Sequence, residues 1–316
     1  MSTNTMTRMQ RFRAAVEGRP VDRVPCTGWV HFITEELGGT EHALRHTRWV
    51  RDHDWDICKV VNDFHYPFPE GTERMRSIDE MRRFVPASLD EPSFAEELKA
   101  IRLLRAEFGP DMPIILTVFE PLRQIVRRAG MPSLQLILDN PDPALRMLDA
   151  VAETTARYMA AIREAGCDGI FLACTGGLRP PVRFGLSDEH YARFVKPYER
   201  AMLEAAAGMV RIVHVHGAPI DIDRVIDLPC EVLSVSDRLP GNPSLAQLRR
   251  KTDLCLMGGI DESRIHDMSQ QELELQIADA IRQLDGHKMI LSPGCTLPAW
   301  TPAHQLHLIR SCACAH

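Results

Sequence analysis

Val213-His214-Val215-His216-Gly217 ends a β-branched apolar run with two imidazoles spaced two apart. Side chains at that spacing share one face of a strand, so His214 and His216 can grip a single metal ion. A third ligand type stands far along the chain, in Leu291-Ser292-Pro293-Gly294-Cys295-Thr296-Leu297-Pro298, where Cys295 follows another apolar run and sits in a Gly/Pro turn. Two imidazoles and one thiolate leave one position of a tetrahedral ion open, which is the arrangement of a catalytic zinc.

Working outward, short β-rich runs recur at 24–30, 56–61, 114–119, 169–173, 212–215, 232–235, 254–257 and 289–291. Amphipathic stretches lie between them, at 93–108, 143–164, 188–208, 244–251 and 269–284. Strands alternating with helices imply parallel pairing, and eight such units predict a single α/β domain over residues 1–316, a (β/α)8 (TIM) barrel. Residues 1–19 read as an N-terminal helix that precedes the repeat, with Met9, Phe12, Ala15 and Val16 at helical spacing and Gly18 and Pro20 as stops. A doubly wound open sheet would place a Gly-rich phosphate turn after its first strand, and Trp29-Val30-His31-Phe32 stands there instead.

In such a barrel the residues just past each strand face one mouth. These are His31, Asp63, Glu120, Cys174, His214 with His216, Asp237, Asp261 and Cys295. The long segments 62–93 and 175–188 are expected at the same end, with His65-Tyr66-Pro67-Phe68-Pro69 as a lid or wall. Asp63 and Asp261 have a plainer role as caps, and Asp237 as the partner of Arg238. Cys312-Ala313-Cys314-Ala315-His316 has metal-ligand spacing, but chain ends usually carry no site, and His304 and His307 read as helix surface.

A net charge of -6 with scattered basic residues argues against nucleic acid and anionic membranes as partners. No apolar stretch approaches the roughly 20 residues of a membrane span, and residues 1–18 lack the apolar core of a secretory signal, so a cytoplasmic protein is expected. Nine cysteines without regular spacing are then expected to be free thiols, most of them small buried hydrophobes.

The chain resembles the uroporphyrinogen decarboxylase superfamily, and within it more the zinc-dependent methylcobamide:thiol methyltransferases than the decarboxylases. The resemblance runs through Arg19-Pro20-Val21-Asp22-Arg23-Val24-Pro25, Lys59-Val60-Val61-Asn62-Asp63, Phe119-Glu120-Pro121-Leu122, Asp168-Gly169-Ile170-Phe171, Lys196-Pro197-Tyr198, the His214 to Gly217 stretch, Asn242-Pro243-Ser244-Leu245, Met257-Gly258-Gly259-Ile260-Asp261 and Ser292-Pro293-Gly294-Cys295. It implies a (β/α)8 barrel. Asp63 corresponds to the decarboxylases' catalytic aspartate. Their Arg-rich segment is replaced here by Cys26-Thr27-Gly28-Trp29-Val30-His31-Phe32, and the tyrosine expected near 124–130 is missing, so a polycarboxylate porphyrinogen lacks its cationic partners.

In the methyltransferase branch the zinc ligands are a His-x-Cys pair and a later Cys, which fall by position on His214, His216 and Cys295. The departure is His216, where that branch usually has Cys. Neutral imidazole in place of thiolate leaves the bound metal more positive and a stronger Lewis acid.

Three functions follow as expectations. The first is a zinc-dependent transferase that activates a small thiol for alkyl transfer from a donor borne by a corrinoid protein. The second is a metal-dependent decarboxylase or lyase on a small carboxylated substrate, with Asp63, Glu120 or Asp237 as acid/base partner and His31, Tyr66 and Asp261 as substrate contacts. The third is a noncatalytic carrier of metal, corrinoid or tetrapyrrole. Iron, cobalt or copper also suits the donors, and the resemblance is compatible with a homodimer.

Overall fold

The computed structural model describes residues 5–315. Seven strands form one curled parallel sheet in chain order: β1 (Cys58–Val60), β2 (Ile114–Val118), β3 (Gly169–Cys174), β4 (Val210–Val215), β5 (Val232–Val235), β6 (Cys255–Ile260) and β7 (Met289–Pro293). Each answers to one of the expected runs. The eighth run, 24–30, does not form a strand and contributes one bridge, Cys26 to Leu291.

The reason lies in its donors. Pro25 has no N–H, and the Cys26 N–H goes to the Asp56 carboxylate at 2.9 Å instead of to a neighbouring strand. What remains is a thin tether on both sides. Leu291 N–H donates to Pro25 O and Thr27 N–H to Leu291 O, while Asp56 N–H donates to Cys26 O. The segment therefore lies between β7 and the start of β1.

The connecting helices are α1 (Arg8–Glu17), α2 (Gly38–His53), α3 (Ile78–Met81), α4 (Pro92–Phe108), α5 (Pro121–Ala129), α6 (Met131–Asp139), α7 (Pro141–Glu164), α8 (Asp188–Phe194), α9 (Lys196–Ala205), α10 (Leu245–Arg249), α11 (Gln270–Leu284) and α12 (Ala303–Ala315). The stretch 188–208 was expected as one helix and is two, broken at Val195. Pro197 cannot donate to the preceding turn, so the chain restarts with Pro in the first turn of α9. The N-terminal helix begins at Arg8, with Thr7 closing a capping box and Gly18 taking the left-handed conformation at its end. The part of the expected helix at residues 1–4 lies outside the described residues.

Period-two alternation sorts each strand into an outer face under the helices and an inner face on the concave side. Ile57, Ile115, Phe171, Ile212, Val232, Cys255 and Ile290 make an apolar inner cluster, which Phe12 of α1 joins from the chain's N-terminal helix. Two residues further along, the inner face turns polar on five of the seven strands, at Lys59, Thr117, His214, Ser234 and Ser292, while β3 and β6 place Ala173 and Met257 there. The inside of the sheet is thus packed toward the strand N-termini and polar toward their C-terminal ends.

Candidate metal centre

His214 is the last inward residue of β4 and is 2% exposed. Its ring stacks on Phe171, with centroids 4.8 Å apart, and its Nδ1 lies 3.2 Å from Ser234 Oγ on the neighbouring strand. That partner is supplied by register, since β4 and β5 align His214 with Ser234. A hydrogen bond at Nδ1 leaves Nε2 as the nitrogen for a metal.

His216 follows the strand end. Its N–H still donates to Cys174 O, and Gly217, at φ +93°, then turns the chain away. Cys295 arrives from β7 through Gly294, where a Cβ would stand 2.3 Å from Ser236 Cα. Only glycine permits that approach, which brings Cys295 Sγ to 3.3 Å from His216 Nδ1.

The ligand atoms of His214, His216 and Cys295 lie within 4.8 Å of one another, and no other group of three such residues converges in this way among the described residues. Burial, then the neighbouring His216 and Lys59, hold His214 well below the ordinary imidazole range. Burial, with Arg123 nearby, lowers His216 as well. Both rings are therefore neutral, which is their ligand form. Burial and Glu262 push the Cys295 thiol up to about 11, so a cation is what would make it a thiolate. The donor set and its protonation fit a three-ligand zinc site.

The trio opens on a cavity of about 230 Å³, also lined by His31, Lys59, Arg123 and Arg127. No carboxylate lines it among the described residues. A larger groove of about 580 Å³ on the surface by Asp221, Asn242 and Lys251 holds neither histidine nor cysteine.

Three of these lining residues escaped the sequence reading. Lys59 points inward from β1, is 3% exposed, donates to Thr117 Oγ1 at 2.6 Å and lies over the rings of Trp29 and Phe171. Burial pushes its ammonium down to about 7. A lysine inside the apolar run Ile57-Cys58-Lys59-Val60-Val61 was the available signal. Arg123 and Arg127 sit one turn apart on α5, and their four-residue spacing just past a strand end was legible too.

The other expected site residues are placed differently. His31 lines the cavity and holds Asp63, with Nδ1 2.9 Å from Asp63 Oδ1. Asp63 itself is buried behind it and accepts the Phe32 and Thr34 N–H groups. Glu120 caps α5 by accepting the Arg123 N–H at 2.9 Å, and burial with Glu199 nearby pushes its carboxyl up to about 8. Asp237 accepts the Gly259 N–H and pairs with Arg238, and burial raises it to about 6. Asp261 accepts from Ser263 in a turn, and the Tyr66 hydroxyl donates to Thr154 on α7. None of Asp63, Glu120, Asp237, Asp261 and Tyr66 lines the cavity.

At the chain's end, Cys312 and Cys314 are two apart on α12 and so point to different sides, with Arg310 donating to the Cys314 thiol. His316 lies outside the described residues. The described helices include none long and apolar enough to cross a membrane, and all nine cysteines are free.

The fold is thus a curled seven-stranded parallel α/β sheet that gathers a His-His-Cys trio, a candidate metal site, at the C-terminal ends of its strands. The uroporphyrinogen decarboxylase (URO-D) family model matches residues 63–315, and the chain belongs to that family. It is 20% identical over 244 residues to a methylcobamide:CoM methyltransferase of Methanosarcina mazei, covering 76% of this chain and 69% of the relative. It is 27% identical over 275 residues to a uroporphyrinogen decarboxylase of Syntrophotalea carbinolica, covering 81% and 74%. A solved methyltransferase structure from Methanosarcina mazei superposes with a TM-score of 0.72 at 17% identity over 98% of both chains.

Proposed function

We propose that this chain is a zinc-dependent transferase in which His214, His216 and Cys295 hold the ion and a small thiol receives an alkyl group. The observation that carries the reading is the convergence of those three side-chain atoms within 4.8 Å, facing a cavity that no carboxylate among the described residues lines. The methylcobamide:CoM methyltransferase relatives support alkyl transfer and favour a methylated corrinoid as the source of the methyl group. We take the chain as one (β/α)8 barrel domain, with 24–30 in the eighth position and residues 1–19 as its N-terminal extension.

Bound here, zinc supplies positive charge that acidifies a sulfhydryl near neutral pH. The chain's own residues do the rest. Ser234 fixes the His214 ring, and Gly294 brings Cys295 to His216. The sulfhydryl proton passes to Nε2 of His31, whose Nδ1 is held by Asp63. Sulfur then forms its bond to the methyl carbon as the donor's bond to that carbon breaks. The cavity lies below the ~300–1,000 Å³ of typical ligand pockets, which matches a small thiol.

Cobalt-substituted protein tests this reading. A thiol-dependent change in its visible spectrum, and methylthioether formed from that thiol and a methylated corrinoid, are the expected results. No spectral response to any small thiol, together with carbon dioxide release from a small carboxylated substrate without a methyl donor, would replace it with the decarboxylase or lyase reading. The Syntrophotalea carbinolica relative favours that alternative.

A further inference from the structure

Five of the chain's 37 basic side chains are lysines, and four of the five pair with carboxylates. Lys99 meets Glu96, Lys196 meets Asp227, Lys251 meets Asp223 and Lys288 meets Asp253. Lys59 is the exception. It forms no ion pair with a described carboxylate, is 3% exposed and lines the cavity beside the ligand trio. The other basic chains at this cavity are arginines, which stay charged, whereas a lysine can stand as a free amine. Nothing in the transferase reading uses it.

The sheet sets its aim. Lys59 pairs with Ile115 across β1 and β2, and Thr117 lies two residues further along the same face. Lys59 Nζ donates to Thr117 Oγ1 at 2.6 Å, so the side chain is drawn toward the strands' C-terminal ends, where the cavity opens. Thr117 in turn donates to Val60 O at 2.9 Å, which leaves its hydroxyl oxygen as the acceptor for the amine. Trp29 and Phe171 flank Nζ, with ring centroids 4.6 and 4.1 Å away. Burial pushes the ammonium down to about 7, against the pull of Cys295, Asp63 and the two ring faces. A neutral amine held by one donated hydrogen bond keeps its lone pair for a ligand.

We infer that Lys59 is a covalent carbonyl-binding site, at which the cavity takes a small aldehyde or ketone as an imine. Nζ forms a bond to the carbonyl carbon, and the carbonyl oxygen leaves as water with the two hydrogens of the amine. The imine then takes a proton from solvent, and its N–H restores the hydrogen bond to Thr117. The cavity of about 230 Å³ limits the partner to a few carbon atoms. This site needs no metal and stands apart from the transferase reading; a carbonyl ligand and a thiol would compete for the same space.

The test is borohydride trapping on the full chain at pH 7, with acetone and with propanal as probes. Hydride adds to the imine carbon and leaves a secondary amine, read as one added isopropyl or propyl group by intact mass and located by peptide mapping. Lys59 is expected to be labelled ~10- to 100-fold faster than the four paired lysines, because an ordinary lysine is almost wholly protonated at that pH. In K59R the fast label disappears and the four slow ones remain, with circular dichroism to confirm folding. The mapping is made on wild type, so it stands whether or not the variant folds.

Fast labelling of Lys59 by propanal alone would keep the site and narrow its ligand to aldehydes. A Lys59 that stays unlabelled by both probes, or is labelled no faster than the paired lysines, overturns the proposal. Fast labelling that persists in folded K59R does so too.

Discussion

Cys295 Sγ lies 3.3 Å from Nδ1 of His216, although 79 residues separate them in the chain. Two features produce the contact. The parallel sheet brings the ends of β4 and β7 to one side, and Gly294 removes the side chain that would otherwise strike Ser236. A Gly294→Ala change is expected to push Cys295 away from His216 and weaken metal retention, read as metal per chain after dialysis against a chelator. Retention equal to wild type would show that the close approach is dispensable.

Ser234 meets Nδ1 of His214 at 3.2 Å, so in the proposed site it would act on a bound metal only through that ring. Ser234→Ala should leave the fold intact and lower zinc affinity by about 10- to 100-fold, the usual cost of losing such a partner. Competition with a zinc-binding dye measures it. An unchanged affinity would mean that the stacking on Phe171 suffices to hold the ring.

Lys59 gives the metal-free protein a pH signature. Its ammonium is pushed from the usual 10.5 down to about 7, so between those values the unfolded chain binds a proton that the folded chain does not. Stability therefore rises with pH across about 7 to 10.5, and the burial penalty is fully present below 7. Lys59→Met should remove this slope. Urea midpoints at pH 7 and pH 9.5 check it, and equal slopes in both proteins would contradict it.

Asp63 accepts from His31 and from the Phe32 and Thr34 N–H groups. Asp63→Ala leaves the buried Thr34 N–H and the half-buried Phe32 N–H unmet and should cost about 1–3 kcal/mol, read from a denaturant midpoint. Metal content should not change, because Asp63 is not part of the ligand trio.

Phe12 is fully buried in the inner cluster, which it enters from α1. Phe12→Ala should destabilise the protein by about 3–5 kcal/mol in the same assay, and a loss under 1 kcal/mol would show that the helix is peripheral to the core.

Much of the fold was legible because Val- and Ile-rich runs alternate with amphipathic stretches, and seven of the eight runs are strands. The run 24–30 also reads as β-rich, but Pro25 removes one donor and the Cys26 N–H goes to Asp56, a side-chain contact that periodicity does not register. The convergence of His214, His216 and Cys295 was readable from spacing on a strand and from a Gly turn. The strand-end carboxylates shared that level but serve backbone donors: Asp63 and Glu120 accept N–H groups near helix starts, and Asp237 meets Gly259 and Arg238. Their capping and pairing roles outweigh mere position at a strand end. Lys59, Arg123 and Arg127 were passed over because a pattern gives the face a residue shares, while the cavity depends on which faces meet.

The most direct measurement is the metal content and coordination of the purified protein, by elemental analysis with X-ray absorption, on wild type and His216→Ala. The account predicts one zinc per chain, bound by two nitrogens, one sulfur and a further light atom, and lost from the variant. A wild-type protein that is folded and stays metal-free when offered zinc would contradict it.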